Sequence, residues 1–525
     1  MKKIIYLVLI LGMSVQIQAQ SNINAQLSNF KRKTPLMGLN ANAIYYNTWT
    51  NVALADSVKN LNPSILRYPG GTPGNYWNWS TGWPSAPFSS CYPNGPSPAL
   101  TVRHNELKIG LDSCQAEMLY TLNLLNSNLS NQLQGINYAS SLSIPIKYLE
   151  FGNEHNLTCD PISSPTYAAM SKIWADTIKA HYPTSKICLV GGDIPSSAPN
   201  WISDITAQNP NYDALSYHVY PLPSSSIFNV QNAFSIAYKT TGQRYSTSHF
   251  SSVPSKEVWV TEYNMSSGNT ALTNTWSQSL FILSMLDTLI QQNQVTMMLP
   301  WAYSGPNLYF QSLDYNNFSM KATGVAVKLI NDVSRGMDSC RKINFSPIQY
   351  QSYNGITYPK IFGYKFYNSI TSKALFVNIS STNYNLDISS LGNILSYKEY
   401  TADTAQIISN GFQNLSITSG NSSTINVQPY SVVVIDYSST TGVINVLNQR
   451  PYLAIYPNPV DNLLILKNVK KNIKYKLYNL TGQLLLESTY NGDTIDVSNL
   501  ETGMYLIILS DENDNLSLHA RFIKK

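Results

Sequence analysis

Two glutamates stand where apolar runs end. One closes the stretch Tyr148-Leu149-Glu150-Phe151-Gly152-Asn153-Glu154, and the other emerges from Glu257-Val258-Trp259-Val260-Thr261-Glu262. A carboxylate at the end of a buried strand must be paired or used, because burying an unpaired charge is costly. Two carboxyls on opposite faces of one sugar, ~5–5.5 Å apart, can cleave a glycosidic bond with retention of configuration. In such a pair Glu154 is placed to protonate the leaving oxygen, and Asn153 to hydrogen-bond a neighbouring sugar hydroxyl. A solvated glutamate on a turn and an ion pair within the core are the plainer readings of the two positions.

Converging carboxyls need a scaffold whose strand ends meet. From about Pro35 to Tyr303 short apolar runs alternate with amphipathic stretches. The runs Leu36–Leu39, Ser64–Tyr68, Met118–Leu122, Ile146–Phe151, Lys186–Val190, Ala214–His218, Glu257–Thr261 and Thr296–Pro300 read as strands. Each is apolar on both faces, as buried parallel strands are. Helical patterns lie between them, at Tyr167–His181 and Thr275–Gln292 most clearly. Eight strands alternating with helices predict an α/β fold, a (β/α)8 TIM barrel over 34–335, with the glutamates on strands four and seven. No glycine-rich dinucleotide fingerprint follows the first strand, against a doubly wound sheet. The loop from Pro73 to Ala116, carrying Trp77, Trp79 and Trp83, is expected to wall the site.

After Gly336 the apolar period becomes two, as in Ile361–Tyr367 and Ala374–Ile379, predicting an antiparallel β-sandwich over 336–437. A Ser/Thr/Gly linker is expected at 438–451. A second small β-sandwich should fill 452–525. Lys2 and Lys3 followed by the apolar run Ile4–Met13 predict a cleavable signal peptide over 1–20, since about ten apolar residues are too few to span a bilayer. No later segment is apolar enough for a membrane span. The net charge of +5 is scattered without a basic patch, which argues against nucleic acid. Five cysteines lack metal-ligand spacing, so no metal site is read from them. Cys188 reads as a buried thiol, and Cys91 with Cys114 as a candidate bridge.

The last segment resembles the C-terminal sorting domains of the bacterial type IX secretion system, through Tyr456-Pro457-Asn458-Pro459, Leu480-Thr481-Gly482 and Gly503-Met504-Tyr505. That resemblance implies type IX machinery as a partner and a secreted or surface-attached protein. Gly152-Asn153-Glu154 with Thr261-Glu262-Tyr263 resembles glycoside hydrolase clan A, the retaining 4/7 superfamily. Leu66-Arg67-Tyr68-Pro69-Gly70-Gly71 is similar to the corresponding segment of family 51 arabinofuranosidases, and less closely to family 79 glucuronidases. Ser216-Tyr217-His218-Val219-Tyr220 matches the clan's His-x-Tyr element. The resemblance implies Glu154 as acid/base, Glu262 as nucleophile, and Asn153 at the hydroxyl beside the anomeric carbon. It implies Arg67 holding Glu262 ionised, His218 and Tyr220 lining the floor, and Trp301 as a stacking aromatic. Gly38-Leu39-Asn40-Ala41-Asn42 lacks the glutamate usual in family 51, so the sugar stays open.

The expectation is thus a secreted, monomeric, retaining O-glycosyl hydrolase acting on a carbohydrate substrate, without metal or organic cofactor. Its rival is a non-catalytic surface polysaccharide-binding protein or adhesin.

Overall fold

The computed structural model describes residues 20–41, 49–88, 103–157, 159–192, 199–223, 228–268, 271–304, 309–438, 454–467, 469, 472–479, 482–510 and 517–525. They form two compact units, 1–440 and 441–525. In the first unit eight parallel strands close into a barrel in sequence order: Leu36–Asn40, Ile65–Tyr68, Glu117–Leu122, Tyr148–Phe151, Lys186–Val190, Ala214–Val219, Glu257–Tyr263 and Val295–Pro300. All eight coincide with the apolar runs of the sequence. Their side chains are buried on both faces, Ala214–Val219 from end to end, which is why the pattern does not alternate. Gly38 allows the first two strands to approach closely, since a Cβ there would lie 2.1 Å from the Ile65 carbonyl.

Asparagines start several of the outer helices. Asn51, Asn128 and Asn229 accept hydrogen bonds from the first-turn N–H groups of Val52–Asn60, Leu129–Ser141 and Val230–Thr247. The segment read as one loop from Pro73 to Ala116 is more ordered than its composition suggested. It contains a hairpin pairing Trp77–Asn78 with Trp83–Pro84, and its last third is the helix His104–Cys114. Cys114, at that helix end, is a buried free thiol, so the pairing with Cys91 is not made. Among the described residues the cysteine engaged in a disulfide is Cys159. Cys91 lies outside the described residues, as do residues 1–19 of the expected signal peptide and residues 439–451 of the linker.

The β domain that follows is one nine-stranded sheet over its own apolar core, including Ile343, Phe376, Leu386, Ile425 and Val433. It is not confined to residues after Gly336. The strand Ser21–Lys33 runs through its interior, antiparallel to Ser339–Ser346 and parallel to Tyr384–Asp387. Barrel and sheet share a junction built on the helix Trp276–Ile290. Trp276 Nε1 donates to the Tyr430 carbonyl at 2.6 Å, and Ser277 Oγ to that of Thr404 at 2.8 Å. Asp287, 1% exposed, accepts from Tyr238 of a barrel helix at 2.9 Å and from Tyr364 of the sheet at 2.6 Å. This double burial explains why the helix is apolar almost all round.

The second unit pairs a three-stranded with a four-stranded sheet around Val460, Leu464, Leu477, Ile507 and Phe522. Among the described residues no helix is long and apolar enough to cross a membrane.

Asp287→Ala strands two buried hydroxyls and should cost about 2–4 kcal/mol of unfolding free energy, against about 1 kcal/mol for Tyr364→Phe. Chemical denaturation of the two variants checks the ratio.

Candidate active site

The strand ends at the C-terminal face of the barrel join six of the seven side chains singled out in the sequence through hydrogen bonds. Arg67, at the end of the second strand, is fully buried. Its Nη1 donates to Glu262 Oε1 at 2.6 Å and to Asn40 Oδ1 at 3.0 Å. Nη2 donates to Asn153 Oδ1 at 2.8 Å, and Nε to Glu150 Oε2 at 2.6 Å. Glu262 Oε2 accepts from the Tyr220 hydroxyl at 2.6 Å. His218 Nδ1 lies 2.9 Å from Glu154 Oε1 and 3.7 Å from Glu262 Oε2. Its Nε2 lies 2.9 Å from Thr261 Oγ1. Register explains much of this, because Asn40 pairs with Arg67, Thr121 with Glu150, and His218 with Glu262 on adjacent strands.

Trp301 joins from the end of the eighth strand, where its N–H donates to the Tyr263 carbonyl at 3.1 Å. Its ring lies so close to Gly71 that a Cβ there would sit 2.3 Å away, which only glycine permits. The loop tryptophans divide. Trp77 is buried against Tyr68, Trp79 packs on Tyr138, and Trp83 is 39% exposed.

Glu154 sits at φ +52° and Gly152 at +78°. A Cβ on Gly152 would lie 2.0 Å from His155 Nε2, so the turn after the fourth strand requires glycine. Asn75 clamps the peptide next to Glu154 at two points. Its Nδ2 donates to the Asn153 carbonyl and its Oδ1 accepts from the Asn153 N–H, each at 2.8 Å. Asp160, itself held by Tyr76, accepts from Asn75 Nδ2 at 2.9 Å.

One oxygen of Glu154, one of Glu262 and a ring nitrogen of His218 lie within 4.8 Å of one another. Such a set has the donor types of a cation site, but these atoms already share hydrogen bonds. Burial opposes a charge on His218, yet Glu262 and Glu154 outweigh it, and the imidazole pKa is pushed up to about 9. Burial alone would raise the Glu154 pKa. The hydrogen bond and charge of His218, with Arg67 and Asn153, reverse that and hold it below the usual carboxylate range. Burial first, and then Glu262, push the Tyr220 hydroxyl well above its ordinary value. The proton of the Glu154–His218 pair therefore rests on His218.

Glu150, Asn40, Thr121, Asn75 and Asp160 belong to the site and were not singled out in the sequence. The signal for Glu150 was present. A charged residue inside an apolar strand needs a partner, and Arg67 is that partner.

Residues 454–525 match the family described as a secretion system C-terminal sorting domain. The C-terminal unit is a type IX sorting domain. The protein is accordingly extracellular, secreted or attached to the cell surface. Over 75 residues it is 33% identical to an endo-acting ulvan lyase of Formosa agariphila. That alignment spans 14% of this chain and 14% of the lyase. Among solved structures, a family 51 arabinofuranosidase from Xanthomonas axonopodis pv. citri superposes with a TM-score of 0.63 at 13% identity. It covers 79% of this chain and 100% of its own. A 4-O-α-L-rhamnosyl-β-D-glucuronidase from Fusarium oxysporum superposes with a TM-score of 0.56 at 14% identity, with 79% and 100% covered. At these identities the likeness establishes a common fold.

Because the folded state raises the His218 pKa above its ordinary 6.5, the protonated imidazole stabilises the fold fully below about pH 6.5. That stability is lost as pH rises through about 9. Urea midpoints measured from pH 6 to 10 should fall over this window in the wild type, and His218→Gln should flatten the fall.

Proposed function

We propose that this protein is a secreted retaining glycoside hydrolase, with Glu262 as nucleophile and Glu154 as general acid/base. The observation that carries this reading is the approach of one oxygen of each carboxylate to within 4.8 Å at the C-terminal face of the barrel. That spacing is short for an inverting pair, which needs ~6.5–9.5 Å to admit a water, and fits direct attack on the anomeric carbon. Arabinofuranosidase-like, glucuronidase-like and endoglycanase-like enzymes share a carboxylate pair of this kind and differ in what else lines the cleft.

In the first half-reaction Glu262 attacks the anomeric carbon, and the leaving oxygen takes a proton from Glu154. Arg67 and Tyr220 hold Glu262 by one oxygen each, which fixes its orientation. The proton reaches Glu154 from His218 Nδ1 across their 2.9 Å hydrogen bond. As Glu262 becomes an ester its negative charge is consumed, and with it the largest interaction that keeps the proton on His218. Proton release is thereby timed to bond formation. In the second half-reaction water attacks the glycosyl ester. It gives its proton back to the Glu154–His218 pair, and Glu262 leaves as a carboxylate.

Sugar release from aryl glycosides and polysaccharides should vanish in Glu262→Ala. Glu154→Ala should keep activity only on aryl glycosides whose leaving group needs no proton, and added azide should restore turnover there by replacing the activated water. Retention of a polysaccharide without release by the wild type would instead support a binding protein. Asn75→Ala should lower kcat by about 10–100-fold with KM little changed, since it loosens the position of Glu154 without touching the sugar.

A further inference from the structure

We infer that the site accepts uncharged saccharides and rejects those carrying carboxylate or sulfate on the sugar it cleaves. This rests on the glycosidase reading and names its substrate class. An anionic substituent leaving water must find a cation or several N–H donors at its binding position. In a TIM barrel those donors come from the strand ends and the loops that follow them.

The eight segments between each barrel strand and the outer helix that follows it are 41–51, 69–103 (which includes the short helix Gly71–Gly74), 123–128, 152–163, 191–200, 220–229, 264–275 and 301–321. The chain carries 34 Lys and Arg, and these segments hold only Arg103 and Lys321. Lys321 is committed to Asp314 at 2.9 Å, a pair little exposed to solvent. Arg103 stands at the start of the helix His104–Cys114, exposed, with its Nε on the Thr81 carbonyl at 3.3 Å. The sheet-domain segment 402–415 borders the same face, where Ile408 N–H meets the Asn274 carbonyl at 2.6 Å. It has no Lys or Arg either.

Within the site the two cations are already spent. Arg67 is fully buried and divides its donors among Glu150, Glu262, Asn40 and Asn153. His218 lies between Glu154 and Glu262. Two positive groups therefore face three carboxylates, Glu150, Glu154 and Glu262. A sugar seated against this cluster meets an excess of negative charge in a poorly screened setting, which repels a further anion. Side chains that can still bind sugar are neutral, such as Trp301 and Tyr220. Recognition by hydroxyl hydrogen bonds and ring stacking suits an uncharged substrate and should be insensitive to salt.

The test uses matched pairs that differ only in charge. These are 4-nitrophenyl β-D-glucuronide against its methyl ester, and polygalacturonate against its fully methyl-esterified form, beside neutral arabinan, xylan and xyloglucan. The full chain is assayed for release, and it and Glu262→Gln are run through gels containing each polysaccharide. The expected result is release from, or retardation by, neutral members only, with a preference of about 100-fold over any charged counterpart. The rate on a neutral substrate should change less than about twofold between 20 mM and 500 mM NaCl. A preference below tenfold, or charged members preferred, overturns the inference while leaving hydrolysis intact if release is lost in Glu262→Gln. Retardation by neutral gels without release in the wild type upholds the inference and removes the hydrolase. Neither release nor retardation with any member overturns both.

Discussion

A guanidinium sealed from water is unaffordable unless each face of its charge is answered, and Arg67 is answered from four directions. Its donors reach Asn40 on the first strand, Glu150 and Asn153 at the fourth, and Glu262 on the seventh. Removing one member of such a cluster leaves buried charge uncompensated, which costs more than the contact itself supplied. The cluster therefore fixes the relative position of four strand ends and, through them, of both carboxylates. Asn40 adds a tie from its amide to the carbonyls of Thr261 and Leu299, so the barrel is stitched at the rim that carries both carboxylates.

Around that fixed point the proton is the mobile element. His218 touches both glutamates, and each carboxylate favours its charge. Glu154 consequently rests as a carboxylate, whereas the acid role proposed for it needs it protonated. The conflict resolves if the site is read as one coupled unit in which Glu154 and His218 hold one proton between them. It then makes sense that the turn bearing Glu154 is so firmly held, by Gly152 in a left-handed conformation and by Asn75 clasping the Asn153 peptide. A proton passed over 2.9 Å tolerates little drift.

Much of this was legible in the sequence and some was not, for identifiable reasons. All eight barrel strands were found because buried parallel strands leave uninterrupted apolar runs. The carboxylates were found because each ends such a run. Glu150 lies inside its run and was read only as part of the strand, although the burial argument applied to Glu262 applies to it unchanged. Asn75 was hidden in a loop whose Pro, Ser, Gly and Trp content gives no period, and Asp160 in the irregular segment after the fourth strand. The helix His104–Cys114 was missed there too, because its apolar face is short and Gly110 sits within it to admit Trp49. Cys114 was paired wrongly because loop length says nothing about whether two thiols face each other. The strand Ser21–Lys33 went unassigned since its partners lie more than three hundred residues away.

That last strand has a consequence for how the chain assembles. It leaves the ribosome before either of its neighbours, Ser339–Ser346 and Tyr384–Asp387, which come after the whole barrel has been made. Contacts of such long range are entropically late in folding. The sheet remains open, with an unsatisfied edge at each side of the gap, until nearly all of the first unit has been synthesised. Completion of the fold is thus coupled to arrival of the distal chain, an ordering that suits a protein bound for the far side of a cell envelope.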